Sequence, residues 1–121
     1  MLERIENVNE QVIEKMFLLY AESMADMEGE FKNRDEMEAS YAAFLKEFIE
    51  NPKQMVFVET VEKQWVCGLR AVESEPGKWF FEAVETRPGQ RNRGYGKKLI
   101  RHVTECESTG DIQAKLKRLF L

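Results

Sequence analysis

A cluster of cations around two closely spaced glycines is the part of this sequence whose residue types point most directly to chemistry. Gly94 and Gly96 stand between an apolar, strand-like segment and a helical pattern. At the start of a helix several backbone N–H groups lack acceptors, and the helix dipole adds partial positive charge. A glycine has no Cβ to keep an anion away from the backbone. The pattern therefore predicts a phosphate-binding loop. The cations of this region are Arg87, Arg91, Arg93, Lys97, Lys98 and Arg101.

Two general phosphate-binding motifs do not fit the loop. Gly89 and Gly94 have the spacing of a P-loop, but Tyr95-Gly96 stands where that motif requires Lys-Ser/Thr. Gly94-x-Gly96 begins like a dinucleotide-binding fingerprint, but Leu99 occupies the position of the third glycine. The phosphate ligand must therefore be recognised in another way.

The run from Arg91 to Gly96 resembles the Arg/Gln-x-x-Gly-x-Gly/Ala signature of the GCN5-related N-acetyltransferase (GNAT) family, and Pro88 stands at the usual place before it. The resemblance implies that amides of this loop bind the pyrophosphate of acetyl-coenzyme A. It implies that strand residues upstream hold the pantetheine arm through their backbone. The alternative is a cationic helix start that meets only solvent. The implied cofactor-binding residues are Val84, Thr86, Arg91, Asn92, Arg93, Gly94, Tyr95, Gly96 and Lys97.

The chemistry that the resemblance implies is direct transfer of an acetyl group from acetyl-coenzyme A to a primary amine. Such an enzyme must accept a proton from the amine and stabilise an oxyanion. Strand alternation predicts that Glu82, Val84 and Thr86 share one face and that Glu85 lies on the other. Glu82 is therefore the predicted base, with Glu85 a weaker candidate. A structural ion pair is the competing interpretation of Glu82.

Composition bounds the rest of the interpretation. A chain of 121 residues predicts one domain over residues 1–121, and the net charge of -4 argues against a nucleic-acid partner. Cys67 and Cys106 have no metal-binding spacing, so we expect no metal site and reduced thiols in a cytoplasmic protein. No apolar run is long enough to cross a membrane, and the N-terminus lacks the layout of a signal peptide.

The elements that must position the loop can be predicted in order. Residues 1–6 are weak evidence for a strand, and two helices follow, with capping boxes at Asn7 and Asp35. The stripe of the first helix continues to Met24, and Asn51-Pro52 ends the second. Strands over residues 55–58, 64–73 and 79–86 form a meander, with Gly68 at a bulge or close contact, before a helix over 94–107. This order predicts an α+β (mixed α/β) fold, similar to acyl-CoA N-acyltransferases, with a mostly antiparallel central sheet flanked by helices.

The connection between the first two helices is acidic over residues 22–38, with Met24, Met27 and Phe31 interleaved. One interpretation is a solvated link. The other follows from the resemblance, since this connection commonly lines the acceptor site in the family. Its carboxylates would then attract an ammonium group, and its methionines would adapt to varied shapes. A small molecule or a peptide could supply the amine.

The C-terminus departs from the family pattern. The resemblance implies a further strand, a helix and a final hairpin, for which only residues 111–121 remain, so we expect a truncated fold. Their alternation narrowly favours a strand, although their composition favours a helix. An unpaired sheet edge would favour a homodimer. The function hypothesis opposed to acetyl transfer is therefore a non-catalytic coenzyme A-binding or dimerising remnant.

Overall fold

The structure is a computed structural model that describes residues 1–76 and 78–105. Within them, four strands and four α-helices follow one another in the predicted order. The predicted strand over 111–121, the end of the last helix and Cys106 lie outside the described residues. The elements are β1 Leu2–Arg4, α1 Glu10–Leu19, α2 Ala21–Met27, a 3₁₀ turn Glu28–Glu30, α3 Arg34–Glu50, β2 Gln54–Val61, β3 Gln64–Glu75, β4 Lys78–Thr86 and α4 Tyr95–Glu105.

Two asparagines start the helices that pack against the sheet. The Oδ1 atoms of Asn9 and Asn33 each accept a hydrogen bond of 2.9 Å from the N–H three residues further on. Both caps have extended backbones, which is the geometry that lets a side chain turn back over the first helical turn. The predicted caps at Asn7 and Asp35 are therefore wrong by two residues.

The stripe predicted as one helix through Met24 is divided into α1 and α2. The division falls at Tyr20, whose φ of -100° and ψ of 32° are not helical. Hydrogen bonds nevertheless continue across it, because Tyr20 N–H donates to Met16 O and its carbonyl accepts from Met24 N–H. The change of direction brings the Tyr20 hydroxyl to the carbonyl of Ala83, at 2.9 Å. The break in the helix thus coincides with a hydrogen bond to the sheet. No local sequence pattern indicates that hydrogen bond.

The sheet is a fully antiparallel meander in the order β1-β2-β3-β4. The central pair is in register at Phe57 and Leu69, and the next pair at Ala71 and Phe81. The antiparallel sheet is confirmed, with β2, β3 and β4 longer than predicted and β1 shorter. β4 lies at the edge of the described sheet, which leaves its outer side without a partner strand among residues 1–76 and 78–105.

The two faces of the sheet carry separate cores. Helices α1, α2 and α3 cover one face, where Met16, Leu45 and Val58 are buried. Helix α4 covers the other, where Leu69, Leu99 and Val103 are buried. The loop between β4 and α4 therefore leads from the end of β4 to the face of the sheet that α4 covers.

A bulge in β4 changes which side chains share a face. Gly68 pairs with Glu85 and Arg70 pairs with Glu82, so two steps along β3 match three along β4. Ala83 lies within the bulge, with a left-handed φ of 50°. Glu82 and Glu85 consequently lie on the same face, towards α1–α3. Thr86 lies on the α4 face, since it pairs with Cys67. The prediction that Glu82 shares a face with Thr86 but not with Glu85 is therefore wrong.

Gly68 is confirmed as a site of close contact. A Cβ added there would lie 2.7 Å from the Tyr20 hydroxyl oxygen and 2.8 Å from Leu19 Cδ2. The glycine thus makes room for the Tyr20 ring above β3.

Among the described helices, none combines the length and the apolar character that crossing a membrane requires.

Candidate functional site

The loop between β4 and α4 is built on left-handed backbone positions. Gly89, Asn92 and Gly94 have φ angles of 88°, 66° and 77°. Successive turns of this kind direct backbone N–H groups into a common concavity, as in anion-binding nests. A Cβ added at Gly94 would find no heavy atom within 4 Å, so the space beside it is open to a ligand.

The first turn of α4 completes this concavity. The first helical hydrogen bond runs from Lys98 N–H to Gly94 O, at 3.0 Å. Within residues 1–76 and 78–105, no acceptor faces the N–H groups of Tyr95, Gly96 and Lys97. The first turn also contains no acidic residue. These donors and the helix dipole fit a phosphate group.

The three predicted phosphate-binding cations differ in their present contacts. Arg91 Nη2 lies 2.8 Å from the Glu22 carboxylate of α2. Arg93 Nη1 donates to Gln90 Oε1 at 3.0 Å, within the loop itself. Lys97 is exposed and forms no ion pair in the part of the chain that the structure describes. Arg93 and Lys97 are thus free of carboxylates, whereas Arg91 connects the loop to α2.

A buried carboxylate holds α4 on the sheet. The side chain of Glu59, on β2, is fully buried and lies 2.9 Å from His102 Nδ1, 3.5 Å from Lys98 Nζ and 3.1 Å from the amino group of Met1. Burial raises the pKa of this carboxyl, but the hydrogen bonds from His102 and the N-terminal amine outweigh burial and hold the pKa below its usual range. Lys98 and His102 therefore support the helix from behind and do not face the loop.

The predicted strand residues lie next to the loop. The Cγ1 atom of Val84, whose side chain is 42% exposed, is 3.9 Å from where a Cβ of Gly96 would be. The carbonyl of Thr86 accepts a hydrogen bond from Arg91 Nε at 3.4 Å, and its hydroxyl contacts Cys67 Sγ at 3.6 Å. Val84 and Thr86 thus lie next to the loop that contains the other predicted cofactor-binding residues.

A pocket of about 540 Å³ opens on the opposite face of the sheet, between α1–α3 and the bulge of β4. Most of its wall is apolar, and four of its residues are methionines. Val84 belongs to this wall as well as to the surface next to Gly96. The lining residues are Met16, Tyr20, Ser23, Met24, Met27, Phe31, Met37, Ser40, Tyr41, Phe44, Leu45, Val56, Arg70, Ala83, Val84 and Glu85.

Among the residues that the structure describes, Glu85 is the one carboxylate in this wall. Its side chain is 21% exposed, accepts hydrogen bonds of 3.2 and 3.3 Å from the Ser23 hydroxyl, and lies 4.0 Å from Arg91 Nη2. Glu82 lies outside the wall, where its Oε1 is 3.5 Å from Arg70 Nε. Sequence reasoning ranked these two carboxylates the other way, because the bulge was not visible in the pattern.

Tyrosines shape the floor of the pocket. Burial raises the pKa of Tyr20 far above its ordinary value, so its hydroxyl stays protonated and donates to Ala83 O. That hydrogen bond holds the carbonyl of the left-handed residue in the bulge. Burial raises the pKa of Tyr41, and the charge of Arg70 opposes part of this rise. The resulting pKa is about 12. Both tyrosines are therefore neutral hydrogen-bond donors over the physiological pH range.

The acidic connection contributes its apolar residues and not its charges. Met24, Met27 and Phe31 line the pocket, but none of the carboxylates of residues 22–38 does. Glu22 pairs with Arg91, and Glu38 pairs with Arg34 at 2.9 Å. That these carboxylates attract the ammonium group of an acceptor stays a prediction. They lie outside this pocket because the helical turns of α2 direct the methionines inward.

Sequence reasoning missed several residues of the wall. Ser23, Ser40 and Arg70 come from three different elements, and their separation along the chain left no local signal. The helical spacing of Met16, Tyr20 and Met24 did mark them as buried, without indicating a cavity. No group of three His, Cys, Asp or Glu side chains is arranged to bind a metal within residues 1–76 and 78–105.

Solved structures with the same fold include three that bear on this site. An aminoglycoside 6'-N-acetyltransferase complexed with coenzyme A matches with a TM-score of 0.63 and 13% identity, over 87% of this chain and 53% of that one. An aminoglycoside acetyltransferase from an uncultured soil metagenomic sample, in complex with sisomicin, matches with a TM-score of 0.57 and 21% identity, over 87% and 67%. A transcriptional regulator from Bacillus halodurans C-125 matches with a TM-score of 0.60 and 16% identity, over 100% and 93%.

The chain spans 53% to 62% of the length of several of the aminoglycoside acetyltransferases that it matches. Among curated proteins, none is similar enough in sequence to count as a match. The model of the acetyltransferase (GNAT) family matches residues 18–114, which include α2, α3, the strands β2 to β4 and the glycine loop. The shared fold, the loop at the start of α4 and this match over most of the sequence lead to one conclusion: the chain belongs to the GNAT acetyltransferase family.

Proposed function

We propose that this protein transfers the acetyl group of acetyl-coenzyme A to the primary amine of a small-molecule or peptide acceptor. The observation that carries the proposal is the position of Val84. Its Cγ1 atom lies 3.9 Å from where a Cβ of Gly96 would be, at the start of α4, and the residue also lines the pocket on the other face. The bulge of β4 thus joins an open anion-binding loop to a pocket that contains a carboxylate.

The loop would hold the phosphates of the cosubstrate. The N–H groups at the start of α4 would bind the pyrophosphate, next to the open space at Gly94. Arg91, Arg93 and Lys97 would add charge, while Asn92 and Tyr95 would contribute mainly main-chain N–H groups. The outer edge of β4 near Val84 and Thr86 would offer backbone groups to the pantetheine amides. Acetyl-coenzyme A supplies the acetyl group as a thioester, and coenzyme A is the leaving group.

On the pocket side, Glu85 would bind the ammonium group of the acceptor and accept its proton, directly or through water. The neutral amine would then form the new C–N bond with the acetyl carbon. As the tetrahedral intermediate collapses, the C–S bond would break, the nitrogen would lose its extra proton to solvent, and the thiolate would take a proton from solvent. Ser23 would orient the Glu85 carboxylate. Glu82 remains the alternative base, although its pairing with Arg70 favours a structural role.

The test combines binding with turnover. Thermal unfolding would be followed with acetyl-coenzyme A and with ATP as control. A ligand at a hundred times its dissociation constant stabilises the native state by about 2.7 kcal/mol. Release of the coenzyme A thiol would then be measured with a panel of primary amines. Stabilisation by acetyl-coenzyme A but not by ATP, together with thiol release that needs an amine, is the expected result.

A second function is favoured by one observation. The outer edge of β4 has no partner strand among the described residues, and such an edge invites pairing. A non-catalytic coenzyme A-binding or dimerising protein would show stabilisation by coenzyme A without thiol release, and a dimer in analytical ultracentrifugation. The cytoplasmic location remains a prediction from the spacing of the cysteines.

A further inference from the structure

We infer that the acceptor is a monoamine with an apolar, aromatic-sized body, and not a polycation. This inference rests on the proposed acetyl transfer, which it narrows to a substrate class. The pocket behind the β4 bulge is the observation that points to it.

The wall of the pocket is suited to a single positive charge. Among the described residues, Glu85 is its one carboxylate, and Arg70 is a cation of the same wall. Arg70 stacks on Phe44 and Phe48, with its guanidinium carbon 5.3 Å from each ring centre, and it pairs with Glu82 outside the wall at 3.5 Å. A second ammonium group on the acceptor would therefore find no second carboxylate in this wall. Because an unpaired charge against an apolar wall is costly, polyamines and aminoglycosides are disfavoured.

The rest of the wall is suited to an apolar body. Met24 and Met27 come from α2, Met16 from α1 and Met37 from α3, so thioethers approach the cavity from three sides. Methionine side chains adapt to irregular shapes and make favourable contacts with aromatic rings. A cavity of about 540 Å³ accommodates a ring and a short alkyl linker.

The relative placement of charge and apolar wall fixes the orientation of the acceptor. Glu85 and Val84 lie at the β4 end of the pocket, next to the surface that reaches Gly96. The ammonium group at Glu85 therefore lies on the side where the acetyl group would be presented. The apolar body then extends away from β4, towards Met37 and Phe44.

The first experiment compares 2-phenylethylamine with ethanolamine, which carry the same ammonium group on the same two-carbon linker. Binding of each to the full chain would be measured by titration calorimetry. Burying a phenyl ring should make phenylethylamine bind about 30-fold more tightly. Equal affinities, or tighter binding of spermidine or kanamycin, would overturn the inference.

Two exposed phenylalanines provide a matched pair of variants. Phe44, 44% exposed, lines the pocket, whereas Phe80, 40% exposed, does not. Phe44→Ala should weaken phenylethylamine binding about fivefold and leave ethanolamine unchanged. Phe80→Ala should change neither affinity. An equal loss in both variants would contradict the assigned pocket.

Thiol release from acetyl-coenzyme A separates this inference from the function on which it rests. If phenylethylamine binds with the expected preference but no amine is acetylated, the transfer reaction fails while the ligand class stands. If ethanolamine or kanamycin is acetylated at least as efficiently as phenylethylamine, the ligand class fails while the transfer reaction stands.

Discussion

The proposed cofactor loop and the proposed acceptor pocket lie on either side of the same strand, yet they are built from different parts of the chain. The loop uses backbone: left-handed glycines and free N–H groups at the start of α4. The pocket uses side chains, which come from three helices and three strands. A backbone site depends on a few adjacent residues, whereas a side-chain site depends on how distant elements pack. The two sites should therefore respond differently to substitution.

The largest effect is expected from the carboxylate that serves the pocket. Glu85→Gln should lower kcat/KM for amine acetylation by about 100-fold or more, because a general base contributes at least that much. Glu82→Gln should lower it less, since Glu82 pairs with Arg70 outside the wall. Steady-state kinetics on both variants, with circular dichroism to verify folding, makes the comparison. A larger loss in Glu82→Gln would restore the base predicted from strand alternation.

The backbone site should be most sensitive at Gly94. Its φ of 77° disfavours any branched side chain, and the added atoms would occupy the open space beside it. Gly94→Val should weaken acetyl-coenzyme A binding by about 100-fold. In free energy, this loss lies in the upper part of the range that a strained backbone position costs.

Gly29 supplies the control for that substitution. It lies in an exposed turn, and a Cβ there would also meet nothing within 4 Å. Gly29 does not have the left-handed backbone of Gly94, so Gly29→Val should leave acetyl-coenzyme A binding within about twofold of wild type. Titration calorimetry on the two variants would contradict the backbone interpretation if Gly94→Val bound normally.

The junction between the two sites should respond through stability. Gly68→Ala would place a Cβ 2.7 Å from the Tyr20 hydroxyl, so we expect a loss of about 2 kcal/mol in the free energy of unfolding. Removing that hydroxyl in Gly68→Ala/Tyr20→Phe should recover part of the loss, with the remainder due to Leu19. Urea unfolding of the single and double variants measures the coupling, and strict additivity would argue against this contact.

The smallest effect concerns the carboxylate behind α4. Because the pKa of Glu59 is lowered in the folded protein, its contribution is present above the usual carboxyl range and is lost as the pH falls through the folded pKa. Glu59→Gln should cost about 1–2 kcal/mol at pH 7 and flatten the acid-side decline in stability. Glu38→Gln, at an exposed ion pair, should cost little at any pH. Urea unfolding at pH 7 and at pH 4 tests both, and an unchanged decline in Glu59→Gln would contradict this role.

The fold was accessible from sequence where a signal was local. Pro52 ended α3 as predicted, and short turns between apolar segments gave an antiparallel meander. The helix starts were predicted less well. Asn7 and Asn9 have the same side chain, so a capping rule accepts either as the residue that starts α1. Packing of α1 on the sheet selects between such equivalents, and a capping rule alone does not.

The sequence by itself determined the loop between β4 and α4, because its glycines, its cations and the following helix are adjacent in the chain. Only the tertiary structure decided which face each carboxylate occupies. One extra residue at the Ala83 bulge moves Glu85 to the face of Glu82, and the hydrogen bond from Tyr20, 63 positions away, holds that bulge. The same packing turned an acidic connection into an apolar wall. A backbone site depends on residues that are adjacent in the sequence, whereas a side-chain pocket depends on contacts between residues that are far apart in it.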